Sequence, residues 1–396
     1  MKGLKLLYFA DGDNSVHDKR FLSKMQEREY NVCAVYFCRA GGKYAVEGMK
    51  KFYLGYEKYQ EKGIIGKLLG YLLAYLRFKN LLTEIKPEIL YAGWIPSCGF
   101  TAALSNYHPF FLKPWASDIL LLPKRSWFFK KIAQFTIKRA DMITCDSKIV
   151  KQEIIRLTGY PEEKIVVFPF GIDLSLFQPD NLQRVNLRKK FGLEEKKVII
   201  MNRNFEPVYG IEYFLRALPL VWAKVPNICV LLIGSGSLEG KLRELVEELK
   251  LEPVVKFIGE VPNREMPGYL NASDLYVSSS LSDGTSNSLL EAMACGLPVV
   301  VTDVPAILEW VTNGENGFVV PRQSVEELAE AIIHLLKNED IAIEMGKKNL
   351  EIAKERADWD KNFRKFEEIC LGMLHRPNYG ASMPAAEERP SLKRRF

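Results

Sequence analysis

The chain has 396 residues, 47 % of them hydrophobic, which is more than one compact core requires, so two domains are expected. Its net charge of +6 reflects an excess of Lys and Arg within residues 1–180. No segment reaches the roughly 20 uninterrupted apolar residues of a membrane span. The seven cysteines form no CxxC pair, which argues against a disulfide scaffold or a zinc site and fits a reducing cytoplasm.

Short apolar runs alternate with amphipathic stretches along the whole chain, a pattern typical of parallel sheets covered by helices. The first run, in MKGLKLLYFADGD, is too short for a secretory signal and predicts a buried strand. The first series of predicted strands is 4–10, 32–37, 88–94, 109–115, 141–145 and 164–168. The second series is 197–203, 228–234, 254–259, 274–278, 298–302 and 317–320. The predicted fold class is α/β with doubly wound parallel sheets.

The segment between the two series, PFGIDLSLFQPD at 169–180, contains two prolines and a glycine that interrupt regular structure. We place the domain boundary there and predict domains over 1–170 and 171–356. A helix over 357–374 follows and is expected to pack back toward the N-terminal domain. The polar tail over 375–396 is expected to be disordered.

The most informative segment is 278–302, SSSLSDGTSNSLLEAMACGLPVVVT, which predicts a strand, a turn, a helix of small residues and another strand. The amides near Ser286, Asn287 and Ser288 would open this helix, and with its dipole they suit a diphosphate. Glu291 follows one to two turns later, where its carboxylate can accept hydrogen bonds from a ribose diol. The alternative is that Glu291 faces solvent on a packed helix.

This segment resembles the donor-site signature of family 4 glycosyltransferases with the GT-B fold, in which seven residues separate two carboxylates. The resemblance implies two Rossmann-like domains facing a central cleft and transfer of a sugar, with retention, from a nucleotide-diphosphate donor. It assigns Glu291 to the ribose, Asp283 to the donor sugar, and the amides of Asn287 and Ser288 to the diphosphate. Asp283 departs from the glutamate that is usual in the family.

A diphosphate in a closing site needs a cation, and Arg203 is the candidate. It ends the first strand of the second series and resembles the arginine of the family's GR…KG motif, which here reads MNRNFEPVYG. Tyr209 stands where the family has a phosphate-binding lysine, so the group that replaces this lysine is left open. A surface-exposed arginine is the alternative for Arg203.

Two glycine-containing turns accompany these residues. Gly234 and Gly236 close a strand and open a helix, so their backbone either approaches the donor or forms a tight turn. The stretch FGID at 170–173 resembles the family's interdomain segment, whose glycine permits a turn near the donor. We favour the interpretation that Asp173 caps this turn.

In the first domain, polar residues follow two predicted strands. Asp11, Gly12 and His17 lie in ADGDNSVH, where they could reach an acceptor or the donor sugar. Ser117 and Asp118 lie in PWASDIL, a loop in which relatives place polar active-site groups. We therefore name Arg203, Asp283 and Asp118 as candidate catalytic residues.

No metal and no cofactor are expected. Asp11 and Asp13 superficially resemble a metal-binding DxD pair, but two aspartates after a strand are more often turn formers. The expected partners are a UDP- or GDP-linked sugar and a glycan or lipid-linked acceptor. No recognised nucleic-acid module accompanies the positive charge.

The basic and aromatic stretch KRSWFFKK at 124–131, with Lys67, Arg77 and Lys79, suggests peripheral contact of a cytoplasmic enzyme with an anionic membrane. The alternative, which the sequence slightly favours, is an ordinary helix with its apolar residues packed inward.

Two other functions stay open on the sequence. A non-catalytic sugar-nucleotide-binding or scaffold protein would explain Asp283 and Tyr209 as decay of the donor site. The other is a different GT-B enzyme, such as a sugar phosphorylase or an epimerase. A phosphorylase would need a site for inorganic phosphate or a cofactor lysine, and neither is evident.

Overall fold

The computed structural model describes residues 3–13, 15–42 and 46–374, and its strands form two parallel sheets. The strands of the first sheet are β1 (Lys5–Ala10), β2 (Asn31–Tyr36), β3 (Lys50–Tyr53), β4 (Ile89–Gly93), β5 (Phe110–Lys113), β6 (Met142–Cys145) and β7 (Ile165–Val167). The strands of the second sheet are β8 (Lys197–Asn202), β9 (Ile228–Ile233), β10 (Val255–Gly259), β11 (Leu275–Ser278), β12 (Val299–Thr302) and β13 (Phe318–Val320).

Most of the helices lie between strands in chain order, and the last three follow the last strand. Those up to the end of the first sheet are α1 (Val16–Glu27), α2 (Ile64–Ile85), α3 (Phe100–Ser105), α4 (Ser117–Leu120), α5 (Leu122–Arg125), α6 (Trp127–Arg139) and α7 (Lys148–Thr158). The later ones are α8 (Asn181–Phe191), α9 (Ile211–Lys224), α10 (Glu239–Glu248), α11 (Met266–Ala272), α12 (Asn287–Ala294), α13 (Val325–Lys337), α14 (Glu339–Arg356) and α15 (Trp359–Leu374).

The two sheets share one strand order. The first runs β3-β2-β1-β4-β5-β6-β7 and the second runs β10-β9-β8-β11-β12-β13. In each, the order reverses beside the first strand, between β1 and β4 and between β8 and β11. This doubly wound order confirms the predicted α/β fold class, and such a reversal is where ligands meet open parallel sheets.

All the strands predicted from the sequence are present, because strands buried on both faces have nearly continuous apolar sequences such as ICVLLI in β9. The strand β3 was missed. Its sequence, KKFY, is half lysine and lies at the partly exposed edge of the first sheet, where an apolar run is not required.

The chain divides into two compact units. The first comprises the described residues up to Leu112, Arg139–Asp141 and the described residues from Lys365 onward; the second comprises Lys113–Lys138 and Met142–Arg364. The domain boundary near residue 170, and with it the cleft between domains, stays a prediction. The predicted tail at 375–396 lies outside the described residues. No helix in the described part of the chain is long and apolar enough to cross a bilayer.

Two aromatic side chains of α6 correct an interpretation drawn from the sequence. Trp127 and Phe128 are 72 % and 62 % exposed, so the inward packing favoured for residues 124–131 is wrong for these two residues. The inward-facing residues of this helix come later, at Ile132, Ala133 and Ile137. Helical periodicity alone could not distinguish the two faces, since both carry apolar residues.

The end of α15 packs into an aromatic cluster of the first unit. The ring of Phe366 lies 5.1 Å from that of Phe21 and 5.3 Å from that of Tyr91, measured between centroids. Phe366 is fully buried. Nearby, the hydroxyl of Tyr30 donates a hydrogen bond of 3.3 Å to Glu367.

The substitution Phe366→Ala should therefore destabilise the protein. Removing a buried aromatic side chain leaves a cavity, and we expect a loss of about 3–5 kcal/mol in the free energy of unfolding. Leu371→Ala is the control, because Leu371 lies on the same helix and is 41 % exposed. Urea denaturation followed by circular dichroism would measure both. Equal losses in the two variants would contradict the packing.

Candidate active site

Apart from the two glycines after β9, the residues with a predicted donor-binding role follow β8 and β11, two neighbouring strands of the second sheet. Arg203 directly follows β8, and Asp283 and Ser286 lie in the segment between β11 and α12. This is the point at which the strand order reverses, so the sheet itself leaves the edge open to a ligand.

The helix α12 begins at Asn287 after an N-cap serine. The side chain of Ser286 accepts a hydrogen bond of 3.4 Å from the amide of Leu289. The first turn of any α-helix presents amides that its own carbonyls do not pair, and the helix dipole places partial positive charge at the same end. An anion such as a phosphate is the ligand that this helix end can bind.

The guanidinium of Arg203 is fixed beside this helix end. Its Nη1 donates to the hydroxyls of Ser286 and Ser288 at 2.6 and 2.9 Å, and its Nη2 forms an ion pair with Asp283 at 2.5 Å. Arg203 is only 9 % exposed, so the alternative of a surface arginine is wrong. The structure thus brings together four residues that the sequence nominated separately.

Tyr209 stands where the family has a phosphate-binding lysine, and its ring packs on Arg203. The Cζ atom of Arg203 lies 3.9 Å from the centroid of the Tyr209 ring, a close cation–π contact. Burial alone would lower the pKa of Arg203, but electrostatic interactions with Asp283 and with the neighbouring Tyr209 and Tyr276 raise it above its ordinary value. The arginine is therefore a permanent cation held in one orientation.

One nitrogen of the Arg203 guanidinium has no hydrogen-bond partner in the described part of the chain. This nitrogen, Nε, is buried and makes no hydrogen bond there. A buried guanidinium N–H without an acceptor is unfavourable by itself, because its desolvation is not compensated. A ligand oxygen would compensate it.

Glu291 lies on the second turn of α12 and is 7 % exposed, so the alternative of a solvent-facing side chain is wrong. Asp283 is also shielded, with 16 % of its side chain exposed, and its second oxygen accepts the amide of Gly284 at 3.0 Å. The assignment of Glu291 to a ribose and of Asp283 to a sugar stays a prediction.

The two glycines after β9 have a packing role. A Cβ atom on Gly234 would lie 2.2 Å from the carbonyl oxygen of Arg203, and one on Gly236 would lie 2.6 Å from that of Phe205. This loop therefore packs directly on the backbone that follows β8. The contact explains both glycines without a ligand, and their role in donor binding stays a prediction.

The stretch at 170–173 forms the turn that was expected. The carboxylate of Asp173 accepts hydrogen bonds from the amide and hydroxyl of Ser175 and from the amide of Leu176, which confirms that it caps the turn. Gly171 has φ +82°, and a Cβ atom there would lie 2.4 Å from the carbonyl oxygen of Ala357.

In the first unit, the loop after β1 lies at the other reversal of strand order. Asp11 accepts a hydrogen bond of 2.6 Å from Ser97, which follows β4. Asp13 accepts the amide of Ala40 at 2.8 Å and the hydroxyl of Tyr53 at 2.9 Å, so it connects neighbouring loops. The expected contacts of Asp11, Gly12 and His17 with sugar or acceptor stay predictions.

Ser117 and Asp118 support the backbone of their own loop. Asp118 is 1 % exposed and accepts the amide of Trp115 at 2.8 Å, while Ser117 donates to the carbonyl oxygen of Trp115 at 3.1 Å. Between them and Trp115, Ala116 has φ +39°, a conformation that L-residues rarely adopt. The catalytic role of Asp118 and the sugar contact of Ser117 stay predictions.

One residue at this site was missed. Asp146 follows β6, and its carboxylate accepts the amide of Thr285 at 3.1 Å while its carbonyl oxygen accepts the Thr285 hydroxyl at 2.6 Å. A Cβ atom on Gly284 would lie 2.3 Å from the same carboxylate. Asp146 thus holds the segment that connects Asp283 to α12. Asp146 directly follows a predicted strand, and this position could have identified it as a candidate site residue.

The electrostatics of Asp146 are unusual for an aspartate. Burial raises its pKa to about 6, and the neighbouring charge of Asp283 acts in the same direction, against the hydrogen bonds from Thr285 and Ser147. Near neutral pH a fraction of the molecules therefore carries a protonated Asp146 beside the candidate donor site.

Residues 183–365 match the family model of Glycosyl transferases group 1, and residues 5–147 match the model Glycosyl transferase 4-like. The chain belongs to the group 1 glycosyltransferases. The second model contains the residues from Asp11 to Asp146 and the first contains those from Arg203 to Glu291, whereas the turn at 170–173 lies between the two matched ranges. The family suggested by the segment at 278–302 is thereby confirmed.

This group 1 family member is 26 % identical over 257 residues to the GDP-mannose-dependent alpha-(1-6)-phosphatidylinositol monomannoside mannosyltransferase of Mycobacterium tuberculosis, covering 62 % of this chain and 66 % of that protein. It is 28 % identical over 244 residues to the N-acetyl-alpha-D-glucosaminyl L-malate synthase of Bacillus anthracis, covering 61 % and 62 %. The chain thus spans just under two thirds of the length of these relatives.

The structure of Anabaena HepE in complex with UDP matches the fold with a TM-score of 0.79 at 19 % identity, covering 93 % of this chain and 100 % of that one. Together with the two parallel sheets, this likeness confirms the predicted GT-B fold. At this identity the likeness concerns the fold alone.

The substitution Asp146→Asn tests the electrostatics of the site. Since the folded protein binds the Asp146 proton more tightly than the unfolded chain, ionisation of Asp146 lowers stability as the pH rises from the ordinary value of 3.8 through about 6. Asparagine does not titrate, so we expect Asp146→Asn to raise the Tm relative to wild type above about pH 7 and to lose most of this advantage near about pH 4.5.

Thermal unfolding across this pH range measures the effect. The exposed Asp340 provides the matched control, because Asp340→Asn makes the same chemical change away from the site. A Tm difference between Asp146→Asn and wild type that does not depend on pH would contradict the raised pKa.

Proposed function

We propose that this chain transfers a sugar, with retention of its anomeric configuration, from a nucleotide-diphosphate donor to a glycan or lipid-linked acceptor. The observation that carries the proposal is the fixed guanidinium of Arg203 at the N-terminus of α12, held by Asp283, Ser286 and Ser288. Family membership supports the class of reaction, and this geometry supports the place at which the donor binds.

The proposed chemistry is electrostatic. As the bond from sugar to diphosphate breaks, negative charge develops on the leaving phosphate oxygen. The amides that open α12 and the cation of Arg203 would stabilise this charge, and they need little reorganisation because they are already fixed. We propose direct transfer, in which the acceptor hydroxyl attacks the sugar on the same face from which the diphosphate leaves. The leaving phosphate would assist deprotonation of this hydroxyl.

The remaining polar groups would orient the donor. Glu291, buried on the second turn of α12, would accept hydrogen bonds from the ribose hydroxyls. Asp283 would lie beside the sugar, and both Asp283 and the diphosphate would contact Arg203. Domain closure, as the family resemblance implies, would align the acceptor and exclude water.

The similar proteins suggest two candidate donors, and one of them suggests a lipid-linked acceptor. The mannosyltransferase of Mycobacterium tuberculosis is named as GDP-mannose-dependent and as acting on a phosphatidylinositol monomannoside, whereas HepE was crystallised with UDP. We propose a GDP- or UDP-linked sugar as donor and favour a lipid-linked acceptor.

Peripheral contact with an anionic membrane fits such an acceptor. Trp127 and Phe128 are exposed on α6, and the residues around them include Lys124, Lys130 and Lys131. Exposed aromatic side chains among lysines are typical of surfaces that enter a headgroup layer.

The donor site can be tested by binding and activity together. We expect nucleoside diphosphates or their sugars to raise the Tm of the wild-type protein, because a ligand that binds only the folded state stabilises it. Arg203→Ala should remove most of this shift and lower kcat/KM by roughly 100-fold or more, since it deletes a preorganised donor to the leaving group. Glu291→Ala should mainly raise the KM for the donor.

The matched controls are Arg216→Ala and Glu330→Ala, which delete exposed charges of the second unit and should leave both properties unchanged. UDP, GDP, ADP and their sugars would be screened by thermal shift. Products formed with membrane extract would then be identified by mass spectrometry. Full activity of Arg203→Ala at limiting donor would overturn the role proposed for Arg203. No shift with any nucleotide would overturn the proposed function and favour the non-catalytic alternative.

A further inference from the structure

The helix α2 of the first unit carries an apolar face that nothing in the described part of the chain covers. Six large aliphatic side chains along three of its turns are about half exposed or more. They are Ile64 at 79 %, Ile65 at 84 %, Leu68 at 67 %, Leu69 at 48 %, Leu72 at 52 % and Leu76 at 47 %. Their spacing of three to four residues places them on one side of the helix. A contiguous exposed apolar face of this kind marks an interaction surface.

This face is not a misplaced core face, because the other side of α2 is already buried. The buried residues recur at a spacing of three to four and are Gly70, Ala74, Phe78, Leu82 and Ile85. Two hydrogen bonds fix the rotation of the helix. The hydroxyl of Tyr71 bonds Thr101 at 2.7 Å, and Nη1 of Arg77 donates to the carbonyl oxygen of Leu54 at 2.7 Å. The helix is therefore apolar on two sides, and only one of them contacts the protein.

The charges along the stretch that carries this face have one sign, with the nearest acidic residues in the sequence, Glu61 and Glu84, at its two ends. Residues 62–83 contain four basic residues and no aspartate or glutamate: Lys62, Lys67, Arg77 and Lys79. Lys67 and Lys79 are exposed within the helix. A partner for this surface therefore has to offer apolar contact and negative charge together.

We propose that α2 lies in the plane of an anionic lipid bilayer, with its six exposed aliphatic side chains inserted at the level of the acyl chains and the lysines among the headgroups. An anionic leaflet supplies both requirements, since its interior accepts the aliphatic side chains and its phosphates attract the lysines. A second copy of the chain fits less well, because face-to-face packing of two such helices would bring like charges together. The exposed face extends over about 18 Å at 1.5 Å per residue, which suits a helix lying on a membrane.

The proposal rests on the proposed function in one respect, namely that membrane binding would bring the enzyme to a lipid-linked acceptor. Binding to the bilayer itself needs no donor and no acceptor. It can therefore be measured separately from nucleotide binding, so that a failure of one is distinguishable from a failure of the other.

The test is flotation of the full chain with vesicles of phosphatidylcholine alone or with added phosphatidylglycerol. We expect wild-type protein to float with the anionic vesicles and to be partly released by salt. The double substitution Ile65→Glu and Leu68→Glu should lower the partition coefficient roughly tenfold or more, because two inserted side chains become charged. Both residues are exposed, so the variant should keep its Tm and its nucleotide-induced shift.

The matched control is the double substitution Leu182→Glu and Val185→Glu on α8. These residues are 71 % and 54 % exposed, so the control makes a comparable change on the surface of the second unit. We expect it to bind vesicles like the wild type. Equal loss of binding in both variants would show an unspecific effect of added negative charge and would overturn the proposal.

A labelling experiment identifies what covers the face. All seven native cysteines are buried, so a fluorophore that reports polarity can be attached selectively to Leu68→Cys. We expect a water-like emission that shifts to the blue only when anionic vesicles are added. A blue-shifted emission without vesicles would mean that another part of the chain or a second copy covers the face. That result, or no binding of the wild type to anionic vesicles, would also overturn the proposal.

Discussion

The fixed guanidinium of Arg203 is the interaction on which the candidate site depends. It connects the end of β8 to the start of α12 through Asp283, Ser286 and Ser288, and the ring of Tyr209 covers one of its faces. The result is a buried cation beside a helix end that already favours anions. A site of this kind can stabilise charge on a leaving phosphate without first ordering a mobile side chain.

The substitution of tyrosine for the expected lysine changes how such a site works. A lysine would add a second positive charge. Tyr209 instead helps to orient the guanidinium of Arg203, and Asp283 neutralises part of the positive charge of this guanidinium. Compensation for a diphosphate would then fall more heavily on the amides of α12. Asp146 already engages the amide of Thr285, which precedes the helix.

The protein has two kinds of apolar surface, one along the buried strands and one on the exposed side of α2. Along the strands, apolar sequence forms the interior, and the same strand order in both sheets leaves polar residues at the edge where the order reverses. On α2, by contrast, apolar residues occupy two sides of one helix, and the fold buries only one of them. The hydrophobic effect explains the first surface within the chain, whereas the second requires a partner.

The sequence by itself predicted the buried strands, the α/β class and the group of residues at Arg203 and 283–291. Buried strands and helix starts depend on residues that are contiguous in the sequence, so they can be recognised there. The prediction missed β3, whose polar edge needs no apolar run. It misjudged Trp127 and Phe128, because a pattern of apolar residues does not say which face is buried. Only the tertiary structure decided that Tyr209 stacks on Arg203 and that Asp146 holds Gly284 and Thr285. Those contacts join distant parts of the chain, and their distances follow from how strands and loops pack rather than from any local pattern.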